Sequence, residues 1–388
     1  MPAITADYIF SAHTGFVKNG VLVLNDDNSV AELIDPAKTF ILPEAKKYEG
    51  LLCPGFVNAH CHLELSHLRG QVTKHTGFVG FAKELLPKRG TFSAEAIAAA
   101  IEEADEAMWQ NGISAVGDIS NLADSFAQKQ KSRISYHTFI ELLALDPSMA
   151  EFVFQKGNEL LATAPRPASL VPHAPYSVSH ELMQLITRNN AERKTPSSIH
   201  SEESPAEQEF SRSASGTMQD FYRFLNIDIA WYKGNGMNSL RASLPHLLSG
   251  ENLLLIHNTL TSADDITWAE SQHKKLYWCF CPNSNLYIEN RLPDFMTFHR
   301  AGVRIVVGTD SYASNDELSI LSELKVIAAS AQQIPVEALL TWATKNGAEA
   351  LNFHSLGSFE KGKKPGVILL NGVAKNGIDQ QASVMRLV

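Results

Sequence analysis

Five histidines and one aspartate are spaced so that they could share a metal ion. His60 and His62 are separated by one residue. In extended backbone residues i and i+2 point to the same side, so both imidazoles can face one ion. His173, His200, His257 and Asp310 lie far apart in the sequence, each at or near the end of a short apolar run. Neutral imidazole with carboxylate suits Zn²⁺ or Fe²⁺, whereas Mg²⁺ asks for oxygen ligands. Such an ion acidifies a bound water, which points to hydrolysis. Beyond His200, the segment His200-Ser-Glu202-Glu203 supplies carboxylates. Glu203 is placed to move a proton from water to a leaving atom without ligating. Glu202 and Glu207 read as a solvated acidic loop. One His-x-His pair is weak evidence. Reading all these histidines as core packing, however, requires several independent coincidences.

The elements that must position these residues follow from the hydrophobic pattern. Eight apolar runs stand at 55–60, 113–119, 134–142, 169–175, 197–202, 253–258, 276–282 and 303–310. Helical stretches separate them, among them 93–110, 177–193, 264–273 and 316–331, each opening near Ser, Asn or Asp capping residues. Eight strands alternating with helices predict an α/β fold, a (β/α)₈ barrel. The competing doubly wound sheet would open on a GxGxxG turn, which is missing. In a barrel the strand ends converge on one mouth, which would gather the five imidazoles and Asp310. The first 50 residues and the tail after Pro365 have strand character. They predict a small β-sandwich assembled from both termini, 1–53 with 355–388, around a barrel at 54–354.

Composition removes other classes. Lys+Arg number 33 against 42 Asp+Glu, a net charge of −9, which argues against electrostatic nucleic-acid binding. The four cysteines form no CxxC pair and cannot build a secreted disulfide framework. Cys61, between the two histidines, is expected to pack. No run approaches the ~18 apolar residues of a membrane span. The expectation is a cytoplasmic enzyme with a small-molecule substrate, no membrane contact, and room for a homo-oligomer.

At this point the motifs resemble the amidohydrolase superfamily. PGFVNAHCHLELSHLRG (54–70) is similar to its first-strand signature, and IHSEESPAE (199–207) to the H-x-x-E element of its deaminase branch. HAPYSVS (173–179), LLLIHN (253–258), CPNSN (281–285) and GTDSYASN (308–315) match later strand elements, in order, across almost the whole chain. The resemblance implies one divalent ion, zinc or iron(II), on His60, His62, His200 and Asp310. Strand four, SLVPHAP, has no lysine to bridge a second ion. The resemblance further implies Glu203 as proton shuttle, His257 as the residue polarising the attacking water, and Asp310 as base. Substrate contacts fall to His173, Glu64 and Asn285. The implied reaction is hydrolytic deamination of an aminated heterocycle. Glu64, Ser66 and the segment 203–221 are similar to the aminodeoxyfutalosine deaminase subgroup.

Two alternatives share these residues: an amidohydrolase with another leaving group (a chlorohydrolase, guanine or cytosine deaminase, or deiminase), and an inert metal-binding barrel. Tyr222, Trp231 and Tyr232, in the aromatic segment 221–248, read equally as ring-stacking or as packing residues. His67 is the first to check among the remaining histidines. Gly357-x-x-x-x-Gly362-Lys363 falls short of a phosphate loop because Lys364 follows, and it reads as a turn.

Overall fold

A computed structural model describes residues 2–39 and 41–388. The fold is mixed α/β with two four-stranded parallel sheets. The first contains Phe56–Cys61, Ile113–Ser120, Ser135–Leu142 and Ala168–Pro172; the second contains Ser197–Ser201, Leu253–His257, Leu276–Phe280 and Ile305–Val307. These are the eight runs read from the sequence. All but Ser135 of their residues are buried, as continuous apolar runs require when both sheet faces are covered. Successive residues serve different apolar clusters: Leu254 and Ile256 join one, Leu253 and Leu255 the other.

The sheets touch at both edges. Cys61 bridges to Asp310 in parallel fashion, and the Thr309 and Asp310 N–H groups donate to the His60 carbonyl at 3.0 and 3.1 Å. At the other edge the His200 N–H donates to the His173 carbonyl at 2.9 Å. Both seams lie where the functional side chains are attached.

The helices begin where their capping residues dictate. Ser93 caps Ala94–Gln110, Ser179 caps His180–Arg193, and Ser262 with Asp265 forms a capping box on Ala263–Gln272. The fourth helix is Ile320–Ser330, opening at Ser319 rather than near 316 because the Ser319 side chain accepts the Ser322 N–H. A helix at Gly77–Arg89, carrying Phe78, Phe81, Ala82 and Leu85, went unread in the sequence. Two small sheets accompany these, one from the first part of the chain alone, of Ala3–Thr5, Val21–Leu24, Val30–Ile34 and Lys46–Lys47, the other from both ends, of Tyr8–Ser11, Gly15–Lys18, Leu51–Pro54, Val367–Ala374 and Gly377–Arg386. Ile9, Leu22, Val30, Leu52, Phe359 and Leu369 share one buried cluster there. The glycine-rich turn at 357–362 lies in irregular backbone, with no helix following it.

Candidate active site

The strand ends bring the predicted residues together. His60 closes toward the end of its strand and His62 stands one residue beyond, yet their Nε2 atoms meet at 3.2 Å. One ligand atom from each of His60, His62 and His200 lies within 4.8 Å of the other two. Asp310 Oδ1 stands 3.7 Å from His60 Nε2 and 3.5 Å from His62 Nε2. Its second oxygen accepts from the hydroxyls of Ser284 and Ser314 at 2.6 and 2.7 Å. Oδ1 is thereby turned to the imidazoles.

Hydrogen bonds behind the rings fix which nitrogen faces the centre. His200 Nδ1 lies 2.8 Å from the His173 carbonyl, which can only accept, so the proton sits on Nδ1 and Nε2 keeps its lone pair. His257 Nδ1 lies 2.8 Å from Asn285 Oδ1, and the Asn285 amide donates to Thr259 Oγ1 at 2.7 Å. Asn285 thus accepts from His257, leaving Nε2 as an acceptor 3.7 Å from Glu203 Oε1.

The backbone is strained at these points. Glu202, His257, Asn258 and Asp310 have φ of 53°, 74°, 54° and 57°. Left-handed backbone outside glycine costs on the order of 1–3 kcal/mol per residue and persists only where neighbours enforce it. Asn58 enforces it near Asp310, clasping the Thr309 N–H at 3.0 Å and its hydroxyl at 2.7 Å. The Asn258 amide donates to the Leu255 and Cys279 carbonyls at 2.7 and 3.2 Å.

Burial sets the protonation states. It pushes His62 and His200 well below the ordinary imidazole range, lowers His257, and takes His173 down to about 4. Neutral rings with free lone pairs are the form that binds metal. Burial opposes charge on Asp310, but the His60 hydrogen bond and the imidazoles of His62 and His257 outweigh it and hold the carboxyl well below its usual range. Glu203 goes the other way: burial, then the negative charges of Asp310 and Glu289, raise it well above 4.5. Burial thus favours its protonated form, the form able to donate.

The reading of Glu202 and Glu207 as a solvated loop is corrected here. Both are fully buried. The two carboxylate oxygens of Glu207 accept the N–H groups of Glu202 and Glu203 at 2.9 and 2.8 Å, and Ser204 caps the helix Pro205–Ser213 that carries Glu207. The turn presenting Glu203 is built on Glu207. Residues that look alike in an acidic run have separate tasks once the helix places Glu207 under the turn.

Above the centre lies a cavity of about 660 Å³, lined by His62, His173, His200, Glu203, His257 and Asp310 at its floor. Its upper wall is largely apolar, from Phe78, Leu85, Leu145, Met149, Phe221 and Leu225. Two expected substrate contacts stand one layer behind. Asn285 is spent on His257 and Thr259. Glu64 is buried, paired with Arg89, and accepts the Asn121 and Leu122 N–H groups at 3.0 and 3.1 Å. Arg89 and Asn121 line the cavity in its place. Of the three aromatics, only Tyr222 reaches the cavity; Tyr232 stacks on Phe210 at 4.8 Å and Trp231 is exposed. His67 faces the Arg89 carbonyl at 3.3 Å and packs on Phe92, away from the floor. Cys61 is buried in the main core, as expected.

Sequence reading missed Glu141 and the ion pair of Asp118 and Lys129. Lys129 Nζ sits 2.5 Å from Asp118, both side chains fully buried, and Asp118 accepts the Leu63 N–H at 2.7 Å. Asp118 thus steadies the backbone immediately after His62. A charged residue inside the apolar run 113–119 was the available signal.

The sequence matches the amidohydrolase family over residues 51–385. The chain belongs to the amidohydrolase family. It is similar to an adenosine deaminase of Helicobacter pylori, 27% identical over 325 residues, covering 81% of this chain and 77% of that protein. It is also similar to an aminodeoxyfutalosine deaminase of Deinococcus radiodurans, 26% identical over 342 residues, covering 83% of this chain and 78% of that one. Among solved structures, the aminofutalosine deaminase of Helicobacter pylori in complex with methylthio-coformycin superposes with a TM-score of 0.80 at 25% identity, covering 97% and 93% of the two chains. This amidohydrolase is a hydrolase acting on carbon–nitrogen bonds.

Proposed function

We propose that this amidohydrolase is a metal-dependent deaminase of an aminated heterocycle, with an aminopurine nucleoside-type compound, such as aminodeoxyfutalosine, as substrate. The observation that carries the reading is Glu203 facing His257 at 3.7 Å beside the imidazole and carboxylate set of His60, His62, His200 and Asp310. The donor chemistry fits one divalent ion, zinc first and iron(II) second, since buried neutral imidazoles cannot otherwise bring two Nε2 atoms to 3.2 Å and a carboxylate beside them without a cation or shared proton. A second group, Glu141 with His173 and His200, does not make a second site, because His200 Nδ1 already gives its proton to the His173 carbonyl. When bound, the ion supplies the acidity that yields hydroxide from water near neutral pH.

The protein's own groups do the rest. Protonated Glu203 gives its proton to the ring nitrogen beside the attacked carbon. His257, held by Asn285 with Nε2 as acceptor, aligns the attacking water. Asp310, ionised, takes one proton from that water and passes it to the amino group, which leaves as ammonia, while the proton remaining on the new hydroxyl goes back to the Glu203 carboxylate as the carbonyl forms. The buried floor and the cavity of about 660 Å³ leave room for a ring with a sizeable substituent against the apolar wall.

On the same reading the eight parallel strands form one closed (β/α)₈ barrel at 54–354, with a β-sandwich of 1–53 and 355–388. The protein works on small molecules in the cytoplasm, with no nucleic-acid or membrane partner. No helix among the described residues is long and apolar enough to cross a membrane.

The test is a turnover panel with zinc-loaded protein: adenosine, 5′-methylthioadenosine, aminodeoxyfutalosine, guanine and cytosine for ammonia, and a chlorinated triazine for chloride. Ammonia from one or more purine nucleosides supports the proposal. Chloride alone transfers the chemistry to another leaving group, and no product from any compound contradicts catalysis of this type.

A further inference from the structure

The cavity contains a carboxylate that the deamination chemistry does not use. Glu141, near the end of the strand Ser135–Leu142, lines the cavity and is 5% exposed. Its Oε2 accepts from the Asn121 amide at 2.9 Å. Its Oε1 is buried with no hydrogen-bond partner. A buried carboxylate oxygen left without a donor is costly, and native structures rarely keep one without a task.

The arrangement around Glu141 is constructed rather than incidental. Glu64 holds Arg89, Arg89 donates to Asn121 Oδ1 at 3.1 Å, and that contact fixes the amide so that its NH₂ faces Glu141. The chain of contacts pins one carboxylate oxygen and frees the other. On the same wall the Tyr176 hydroxyl is also buried and without a partner. His173 lies between the two, its ring 5.7 Å from that of Tyr176 and one of its nitrogens within 4.8 Å of a Glu141 oxygen. His200 Nδ1 stands 3.6 Å from Oε1 and is already committed to the His173 carbonyl at 2.8 Å.

We propose that Glu141 is a substrate-binding residue whose free carboxylate oxygen accepts a hydroxyl of the part of the molecule that does not react. In an aminopurine nucleoside that part is the sugar. Arg89 and Asn121 hold the carboxylate in register, and Tyr176 adds a second polar contact on the same side. The proposal rests on the nucleoside reading above and adds which residue recognises the sugar.

The experiment compares zinc-loaded wild type with Glu141→Gln and Glu141→Ala on adenosine and on 2′,3′-dideoxyadenosine, with zinc content measured for each protein. A hydrogen bond to a charged group corresponds to about 10- to 100-fold in affinity. The expected result is a KM for adenosine raised by about that factor in both variants, an unchanged KM for the dideoxy compound, and full zinc content. Equal losses on both nucleosides, or lost zinc, overturn the proposal and make Glu141 a support for His200. Wild type active on adenosine with variants indistinguishable from it also overturns it, while leaving the deaminase reading intact. Wild type releasing ammonia from neither nucleoside overturns this inference, and the nucleoside reading itself falls only if the other purine nucleosides of the turnover panel also release none.

Discussion

Replacing Glu207 with glutamine should cripple turnover although Glu207 touches no substrate. Its two oxygens hold the N–H groups of Glu202 and Glu203 at 2.9 and 2.8 Å, and Glu202 sits at φ 53°. Glutamine keeps one acceptor oxygen but turns an NH₂ toward the other N–H. One hydrogen bond is then lost and a buried donor is left unpaired, a cost of about 1–3 kcal/mol. That is comparable with the ~1–3 kcal/mol stored in a left-handed residue, so the turn can relax and carry Glu203 with it. A displacement of about 1 Å at a catalytic group lowers rate on the order of 100-fold. The expected outcome is kcat down by about 10- to 100-fold, KM little changed, and zinc content equal to wild type. Steady-state ammonia release with metal analysis provides the readout. A Glu207→Gln protein with kcat within threefold of wild type would refute the argument that this carboxylate positions the shuttle.

Three further outcomes follow from other contacts. Asn285→Ala frees His257 to change tautomer, so kcat should fall by about 10-fold or more while zinc stays bound; a kcat equal to wild type would remove Asn285 from the account. Lys129→Met strands Asp118 as a buried carboxylate and should cost about 3–5 kcal/mol in urea denaturation, whereas a loss under about 1 kcal/mol would show that the pair is not mutually dependent. Glu323 is buried, accepts the Asn283 N–H at 2.9 Å and the Asn315 amide at 2.8 Å, and burial raises its pKa from 4.5 to about 8. The folded state then binds more protons than the unfolded one between those values, so this group's contribution is full below about 4.5 and is lost as pH rises through about 8. Glu323→Gln should flatten the decline in Tm between pH 5 and 8.5; an unchanged slope would show that Glu323 does not contribute to it.

What could be read from the sequence was whatever a one-dimensional pattern encodes. The eight apolar runs became the eight parallel strands because burial on both faces leaves continuous hydrophobicity. The helix starts were legible where Ser93, Ser179 and Ser262 mark them. His60, His62, His200, His257 and Asp310 were legible because each lies at or just past the end of a strand, and strand ends converge. The residues behind them were not. Asn285 and Glu64 look like substrate contacts by position, yet their roles depend on whether another polar group lies within 3 Å, which spacing cannot show. Glu207 looked like one more surface acid. Its burial follows from the helix turning it under residues 202 and 203. Glu141 is hidden among the apolar neighbours of its strand and Lys129 among the polar residues of Phe126–Lys131, and only the folded contacts show one left unpaired and the other paired with Asp118.

The most direct test of the account is Glu203→Gln with zinc content and ammonia release measured on the same preparation. The side chain is not in the proposed ligand set but is the proposed proton carrier, so zinc should remain at one ion per chain while kcat falls by about 100- to 10,000-fold. A variant that retains zinc and still deaminates at the wild-type rate would contradict the account at its centre.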